Sequence, residues 1–544
     1  MCGIFASPLT LAETQTTPSS RFENLHHRGP DCSRFVAIDS RFLFGFHRLS
    51  IMDLSEKGMQ PFSASNSDAL ICNGEIYNYK SLKEELFTDY SFQSESDCEI
   101  LLPLIQRLGL LEASKQLDAE FALIFYDAKQ KVLMAARDHL GIRPLFYGKL
   151  KGGNGTLGNS ASLAFASEAK ALLELCDDIQ QFPPGHIYDG SRFVPYRKAY
   201  DKDPQPTTGA TRQSYAEGVR ERLIEAVQKR LHPDAPLGFL LSGGLDSSLV
   251  CAIAARMSPK PIRTFSVGCS VDAIDIKYAE KVAKDLKADH TNVWFSHQDA
   301  LDVLDKVIYH LESWDTTTVR ASIGMFIVAR YIHEKTDIKV LMTGEVSDEL
   351  FGYKYTDYAP NAYEFQKEAI KRMTEIHFYD VLRADRCLAA NALEARVPFG
   401  DQAFVEYAMQ VPASFKMNTN GMGKSLLREA FAGMNILSHD ILYREKAAFS
   451  DAVGHSVVDT IKAHAEKFYT NEEFQRKAKD YPHSPPQSKE ALLYREIFQK
   501  HYAQKNPSRD QLIPAYWLPN QSWQGCEISD PSARYLPNYG KSGF

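Results

Sequence analysis

From Cys2 to about Tyr200 the chain repeats short apolar runs separated by Gly and Asn, among them Phe42 to Arg48, Ala69 to Cys72, Phe121 to Tyr126 and Val132 to Ala136. Runs of that length, bounded by turn residues, predict strands. Beyond that point the pattern changes. Tyr215 to Arg230 carries apolar residues at helical spacing, and Leu237 to Leu241 is an apolar run that ends in a glycine-rich turn before another helical stretch. This is a strand-turn-helix unit. Further runs at Ile262 to Val267, Thr291 to Phe295 and Ile338 to Met342 are separated by helical patterns, which predicts an α/β doubly wound parallel sheet. After Phe351 the pattern is mainly helical, through Ala362 to Leu393, Gln402 to Met409 and Lys424 to Phe431.

A change of pattern needs a boundary. Asp201 to Gly209 combines Pro204 and Pro206 with charge and small polar residues, and reads as a linker. The expected organisation is residues 2–200 as one domain, 201–209 as linker, 210–503 as a second domain, and 504–544 as a tail expected to be partly disordered.

Composition narrows the classes. The chain has 544 residues, 44% of them hydrophobic and 24% charged, as in globular proteins with several cores. A net charge of -7 lacks the basic excess that nucleic acid requires, so small molecules are the expected partners. The apolar runs Pro236 to Leu241 and Leu249 to Ala255 are split by Ser242 to Ser248, too short to span a membrane. Nine cysteines without CxxC pairs fit neither a disulfide framework nor a zinc site, and suit a reducing cytoplasm. A homodimer is compatible with all of this.

Candidate chemistry begins at Cys2. With Met1 removed, its thiol would sit beside a free α-amine of pKa about 8, so that one residue supplies nucleophile and base. The bland alternative is an incidental buried cysteine. Attack on an amide builds an oxyanion, and Asn73-Gly74 could supply a side-chain amide and a backbone N–H for it. Arg48 could clamp a carboxylate, while Glu75 and Asp97 could hold an ammonium group. In the second half, LSGGLDSS (Leu241 to Ser248) places glycines and hydroxyls at a strand-to-helix turn, a setting for phosphate. No GK[ST] follows, so it is not the P-loop of kinases. Asp246, and Asp348 in TGEVSDE, each follow an apolar run. Both could meet at one sheet edge and bind magnesium, although Asp348 could equally cap a helix.

The series MCGIF, HRGPD (His27 to Asp31), HRLSIMD (His47 to Asp53), NGEIYN (Asn73 to Asn78) and ESDCE (Glu95 to Glu99) resembles the class II, N-terminal-nucleophile glutamine amidotransferases. The resemblance implies an α+β domain layered αββα, with Cys2 as nucleophile, Asn73 and Gly74 as oxyanion hole, and Arg48, Asn73, Glu75 and Asp97 binding glutamine. LSGGLDSS resembles the pyrophosphate loop of N-type ATP pyrophosphatases, which implies AMP and pyrophosphate as products. Nearly end to end, through RDHLGIRPLFYG, FASEAKAL, EARVPFGD, REKAAFSD and SKEALLYREIF, the chain is similar to the glutamine-hydrolysing asparagine synthetases.

That resemblance implies that Leu241, Val267 and Gly344 contact adenosine, that Ser242, Gly244, Asp246 and Ser247 contact pyrophosphate, and that Gly243, Gly268 and Thr343 complete the ATP site. Glu345 and Lys446 match the acid/base and the phosphate-stabilising groups, with Mg2+ on Asp246 and Asp348. Thr317, Thr318 and Arg320 fall where substrate or phosphate contacts are expected, and Glu394 and Arg396 are expected to be chiefly a structural ion pair. It also implies that ammonia passes internally between the halves. The chain departs from the family pattern at Ala6, at Val346 in place of a glycine, and in the shortened Phe351-Gly352-Tyr353. A valine there resists positive φ. The Val346 loop keeps another acid acceptor, or a regulator with a dead synthetase site, as rival readings.

Overall fold

In the computed structural model the apolar runs of the first half close into two antiparallel six-stranded sheets. One has the order β10 (Cys176–Gln181), β8 (Phe146–Leu150), β9 (Leu163–Ala166), β1 (Gly3–Pro8), β3 (Phe42–Arg48), β2 (Cys32–Ile38). The other runs β12 (Phe193–Pro195), β11 (His186–Tyr188), β7 (Val132–Arg137), β6 (Ala119–Asp127), β5 (Ala69–Ile76), β4 (Phe62–Ser63). The structure describes residues 1–8, 16–151, 163–198, 209–269, 273–419, 421–445, 455–503, 511–528, 530–531 and 535–538. Nearly all of the expected linker lies outside these residues.

Strand alternation assigns the layers. Ile4, Ala6, Phe44, Phe46, Ile71, Ala122, Ile124 and Phe165 form one apolar core drawn from both sheets. Their chain neighbours Leu70, Cys72, Leu123 and Phe125 point the other way and pack with Leu82, Leu101, Leu104 and Ala113, from helices Tyr79–Leu86, Leu101–Leu108 and Leu110–Gln116. Phe5, Ala164 and Ala166 cover the opposite outer face with Phe22 and Leu25. Sheets buried on both faces read as continuous apolar runs, and the result is the expected αββα layering.

The second half holds a five-stranded parallel sheet, ordered β15 (Asp289–Phe295), β14 (Arg263–Cys269), β13 (Leu237–Leu240), β16 (Val340–Met342), β17 (Glu394–Arg396). Strand order reverses between β13 and β16, and ligands bind at such a switch point, outside the carboxyl ends of the strands. The turn Leu241 to Gly244 and the segment Thr343 to Val346 leave those two ends. β17 is a strand where the sequence suggested only an ion pair. The two halves share a core, because Phe5, Phe22 and Phe146 belong to the same cluster as Phe265, Val293, Leu304 and Ile323. Although the stretch after residue 503 has little periodicity, its Leu512, Ile513, Trp517 and Trp523 are buried, and the Trp517 N–H donates to Asp315 Oδ1 at 2.7 Å.

Candidate active sites

The first site lies at the ends of β1, β3 and β5. A small pocket there is lined by Cys2, Arg48, Asn73, Gly74, Glu75 and Asp97, together with Leu49, Gln60, Cys72, Cys98 and Glu394. The structure therefore gathers every residue the sequence assigned to this chemistry. The Cys2 backbone N–H donates to Asn73 Oδ1 at 2.8 Å. That bond fixes the amide orientation and leaves Asn73 Nδ2, a buried donor, with no partner. A buried unpaired donor beside a thiol is costly in a resting fold, but it is what an oxyanion hole needs. Gly74 has a separate reason: a Cβ there would meet Glu120 O at 2.6 Å and Phe121 Cβ at 2.7 Å on β6.

The charges follow from burial. Burial pushes the Asp97 carboxyl up to about 6, against a hydrogen bond from the Ile76 N–H. Burial also raises Glu75 well above the usual range, opposed by the Arg396 guanidinium, whose Nη2 lies 2.9 Å from Glu75 Oε2. Arg48 is held over the pocket by donating to the carbonyls of Met52, Asp53 and Ser55.

Two residues here were underrated by the sequence. Arg396 and Glu394 do pair, at 3.2 Å, but the pair also closes the pocket, because Glu394 lines it and Arg396 reaches Glu75. Met1 is fully buried. Its sulfur accepts from Arg143 Nη1 at 3.0 Å, and its amine lies 3.8 Å from Glu394. Desolvation lowers that amine to about 6, and burial raises the adjacent Cys2 thiol.

The second site is a larger cavity at the switch point. Leu241, Ser242, Gly244, Asp246, Ser247, Val267, Thr343, Gly344, Glu345 and Asp348 line it, as the sequence expected. Gly243 and Gly268 are not among the lining residues. Gly243 has φ +70°, and a Cβ there would lie 2.5 Å from the Ala279 nitrogen, so its part is to let the turn form. The turn then laces itself together: Ser242 Oγ lies 3.0 Å from Ser247 Oγ and accepts from the Gly244 N–H at 3.3 Å. Helix Leu245–Met257 thus directs its positive end into the cavity.

Several lining residues were missed by the sequence, namely Ser266, Asp275, Glu349, Tyr353, Asp380, Arg383, Lys424, Arg428 and Arg444. Arg383 Nη2 bridges Glu345 Oε1 at 3.1 Å and Asp380 Oδ1 at 2.8 Å. Tyr353 donates to Glu349 Oε1 at 2.7 Å and Asp380 Oδ2 at 3.2 Å. Burial raises the Glu345 carboxyl, opposed by Arg383, and raises Glu349 well above its ordinary value, with Asp380 adding to the effect.

Thr317, Thr318 and Arg320 are not among the residues lining this cavity. Thr318 is tied to Asp315, which caps helix Thr316–Lys335. Arg320 spends its guanidinium on Glu490 and Asp530, at 2.6 to 3.0 Å. These contacts are within the chain itself and hold the helix in place. Lys446 lies outside the described residues. Val346 has φ +80° and is 1% exposed, so the valine is held in the left-handed region that glycine would occupy freely.

The comparisons with known proteins follow the same division. Residues 1–188 match the family described as glutamine amidotransferase domain, and residues 218–365 and 356–524 match asparagine synthase. A probable glutamine-hydrolysing asparagine synthetase of Acanthamoeba polyphaga mimivirus is 41% identical over 549 residues, 95% of this chain and 96% of that protein. The glutamine-hydrolysing asparagine synthetase of Gallus gallus is 36% identical, covering 99% of each chain. Asparagine synthetase 1 of Saccharomyces cerevisiae is 37% identical over 99% of this chain and 100% of that one.

Proposed function

The chain belongs to the glutamine-hydrolysing asparagine synthetases, and from that premise we propose that it joins nitrogen from L-glutamine to L-aspartate, cleaving ATP to AMP and pyrophosphate. What carries this reading is one chain holding both a thiol beside an unpaired amide donor and a glycine-serine turn facing paired carboxylates at a sheet switch point.

In the glutaminase pocket, once Met1 is removed, the nitrogen that now donates to Asn73 Oδ1 becomes the α-amine of Cys2 and takes the thiol proton. The thiolate attacks the glutamine side-chain amide, and Asn73 Nδ2 with Gly74 receives the oxyanion. Arg48 faces the substrate carboxylate, and Glu75 and Asp97 face its ammonium. The α-ammonium returns its proton to the departing nitrogen, ammonia leaves toward the second half, into the region now filled by the Met1 side chain, and water then cleaves the thioester on Cys2 to glutamate. Glu394 lines this pocket from β17, and β17 pairs with β16, which leads directly into Thr343 and Glu345.

In the synthetase cavity, Leu241, Val267 and Gly344 surround the adenosine, and Ser242, Gly244 and Ser247 cradle the phosphates. Asp246 and Asp348 suit a magnesium ion, since both reach a single lysine ammonium and are therefore close enough for one cation to bridge. When bound, that ion neutralises phosphate charge. Aspartate's side-chain carboxylate attacks the α-phosphate and displaces pyrophosphate, forming an acyl adenylate from which ammonia then displaces AMP. Glu345, with its carboxyl raised by burial, then accepts a proton from the incoming ammonia. No described helix is long and apolar enough to cross a membrane; the nine free cysteine thiols suit the reducing cytoplasm proposed for the chain.

The test is incubation with ATP, magnesium, glutamine and a panel of carboxylic acids. Asparagine, glutamate, AMP and pyrophosphate should form in equal amounts. ADP in place of AMP, or faster consumption of another acid than aspartate, would overturn the proposal.

A further inference from the structure

The synthetase cavity contains a cation that no motif announced. Lys424 Nζ donates to both oxygens of Asp246 at 2.8 Å, to Ser347 Oγ at 3.0 Å, and lies 2.6 Å from Asp348 Oδ1. Its side chain is 3% exposed. The residue precedes helix Ser425–Ala432 with φ 56° and ψ 33°, a left-handed backbone that a side chain bearing Cβ adopts only when its surroundings impose it.

These carboxylates come from separate parts of the chain, Asp246 from the first turn of helix Leu245–Met257 and Asp348 from the short helix Ser347–Phe351 that follows β16. They are also the pair that best fits a magnesium ion. An ammonium has three donors and no lone pair, so it cannot join the oxygens around a metal. Magnesium demands near-octahedral oxygen ligands at about 2.1 Å. The two cations therefore compete for the same oxygens, and one must leave when the other arrives.

Other carboxylates of the cavity are already engaged: Asp275 accepts from Arg444, Glu345 and Asp380 accept from Arg383, and Glu349 accepts from Tyr353. Arg428 and Arg444 share the cavity lining and repel a displaced ammonium, and Arg383 is committed to Glu345 and Asp380. The turn of Ser242, Gly244 and Ser247 opens into the same space, and a polyphosphate held there offers the anionic oxygens that the lysine loses. Its flexible four-carbon stem permits the move.

We propose that Lys424 exchanges Asp246 and Asp348 for the phosphates of the nucleotide, so that magnesium and ATP enter the site together and magnesium enters poorly alone. This rests on the reading of the cavity as a nucleotide site. Lys424 thereby keeps the paired carboxylates from capturing a divalent ion unproductively, and then contributes its charge where pyrophosphate leaves.

The test is calorimetric titration of the full chain with MgCl2 alone and, separately, with MgATP, comparing wild type with Lys424→Met. The methionine keeps the length of the side chain and removes the charge. Magnesium alone should bind the variant at least tenfold more tightly than wild type, while MgATP binds at least tenfold more weakly. A lysine that merely supports the fold would not tighten magnesium binding. A variant with a native circular dichroism spectrum whose magnesium affinity is equal to or weaker than wild type, or whose MgATP affinity is unchanged, would overturn the proposal. If the methionine variant does not fold, Lys424→Gln, which removes the charge and shortens the side chain away from the two carboxylates, carries the same expectation. The product assay on wild-type protein tests the underlying function separately, since it does not depend on Lys424 moving.

Discussion

The two pockets solve opposite problems. In the glutaminase pocket each charge is spoken for by a neighbour: Glu75 by Arg396, Asp97 by a backbone N–H, Arg48 by carbonyls. One buried donor, Asn73 Nδ2, is left over. The synthetase cavity instead crowds Asp246, Glu345, Asp348, Glu349 and Asp380 against Arg383, Lys424, Arg428 and Arg444. A covalent mechanism at one thiol needs a few rigidly aimed groups. Chemistry on a polyphosphate needs charge that can redistribute as charge moves. The first site is preorganised by strands, while the second is balanced among helices and loops.

The sharpest way to break the comparison is to disable each half in turn. Cys2→Ala should reduce glutamine-dependent asparagine formation to background while synthesis from ammonium salts continues. Loss of both in a folded variant would mean that the sites are not separate. Glu345→Gln should do the reverse, lowering synthesis from either nitrogen source by about 10²- to 10⁴-fold, the usual contribution of a general base, while glutamine is still hydrolysed. Asn73→Ala should cost about 10²- to 10³-fold in kcat for glutamine hydrolysis, as removal of one oxyanion donor does elsewhere. A change in KM alone would assign Asn73 to substrate binding only.

A pH profile sharpens the contrast further. The Asp97 carboxyl is raised by burial to about 6; above that value it is charged and can hold the glutamine ammonium, and below it the group is neutral. The KM for glutamine should therefore rise as pH falls through about 6, approaching tenfold per unit. Asp97→Asn should raise KM and remove the part of this pH dependence that Asp97 contributes, leaving only that of Glu75, whose carboxyl burial also raises, measured by glutamate release. An unchanged slope in the variant would assign the titration to another group.

The same contrast explains what could be read from the sequence. Asn73, Gly74 and Glu75 are consecutive on β5, and Cys2 and Arg48 flank paired strands, so short motifs carried the residues lining the first pocket almost whole. The glycine-serine turn at the second cavity was legible for the same reason. Asp380, Arg383 and Lys424 come instead from the helical region after Phe351, where apolar periodicity reports packing and a charged residue facing inward looks like one facing water. A weak signal existed for Lys424, which follows Gly421-Met422-Gly423, a flexible approach to a helix with no obvious reason to be there. Arg320 misled in the other direction, because its partners Glu490 and Asp530 are remote in sequence and left its charge looking available to a substrate. Arg396 was similarly undervalued, since nothing local indicates that Glu75 is in reach.

The smallest expected effect concerns the loop that joins β16 to the synthetase chemistry. Val346 combines φ +80° with nearly complete burial, packing among the apolar residues of the second half. Its side chain contributes about 2 kcal/mol of burial, and its left-handed backbone costs about 1–2 kcal/mol. Val346→Ala loses most of the packing and keeps most of the strain. Val346→Gly loses slightly more apolar surface but relieves the backbone. At an ordinary right-handed position glycine is about 1 kcal/mol worse than alanine; here the order should invert, with the glycine variant melting at or above the alanine variant, and within about 1 kcal/mol of the native chain. The measurement is thermal unfolding of the three proteins followed by circular dichroism. If alanine proves the more stable substitution, the left-handed backbone at residue 346 costs less than glycine loses in packing and chain entropy.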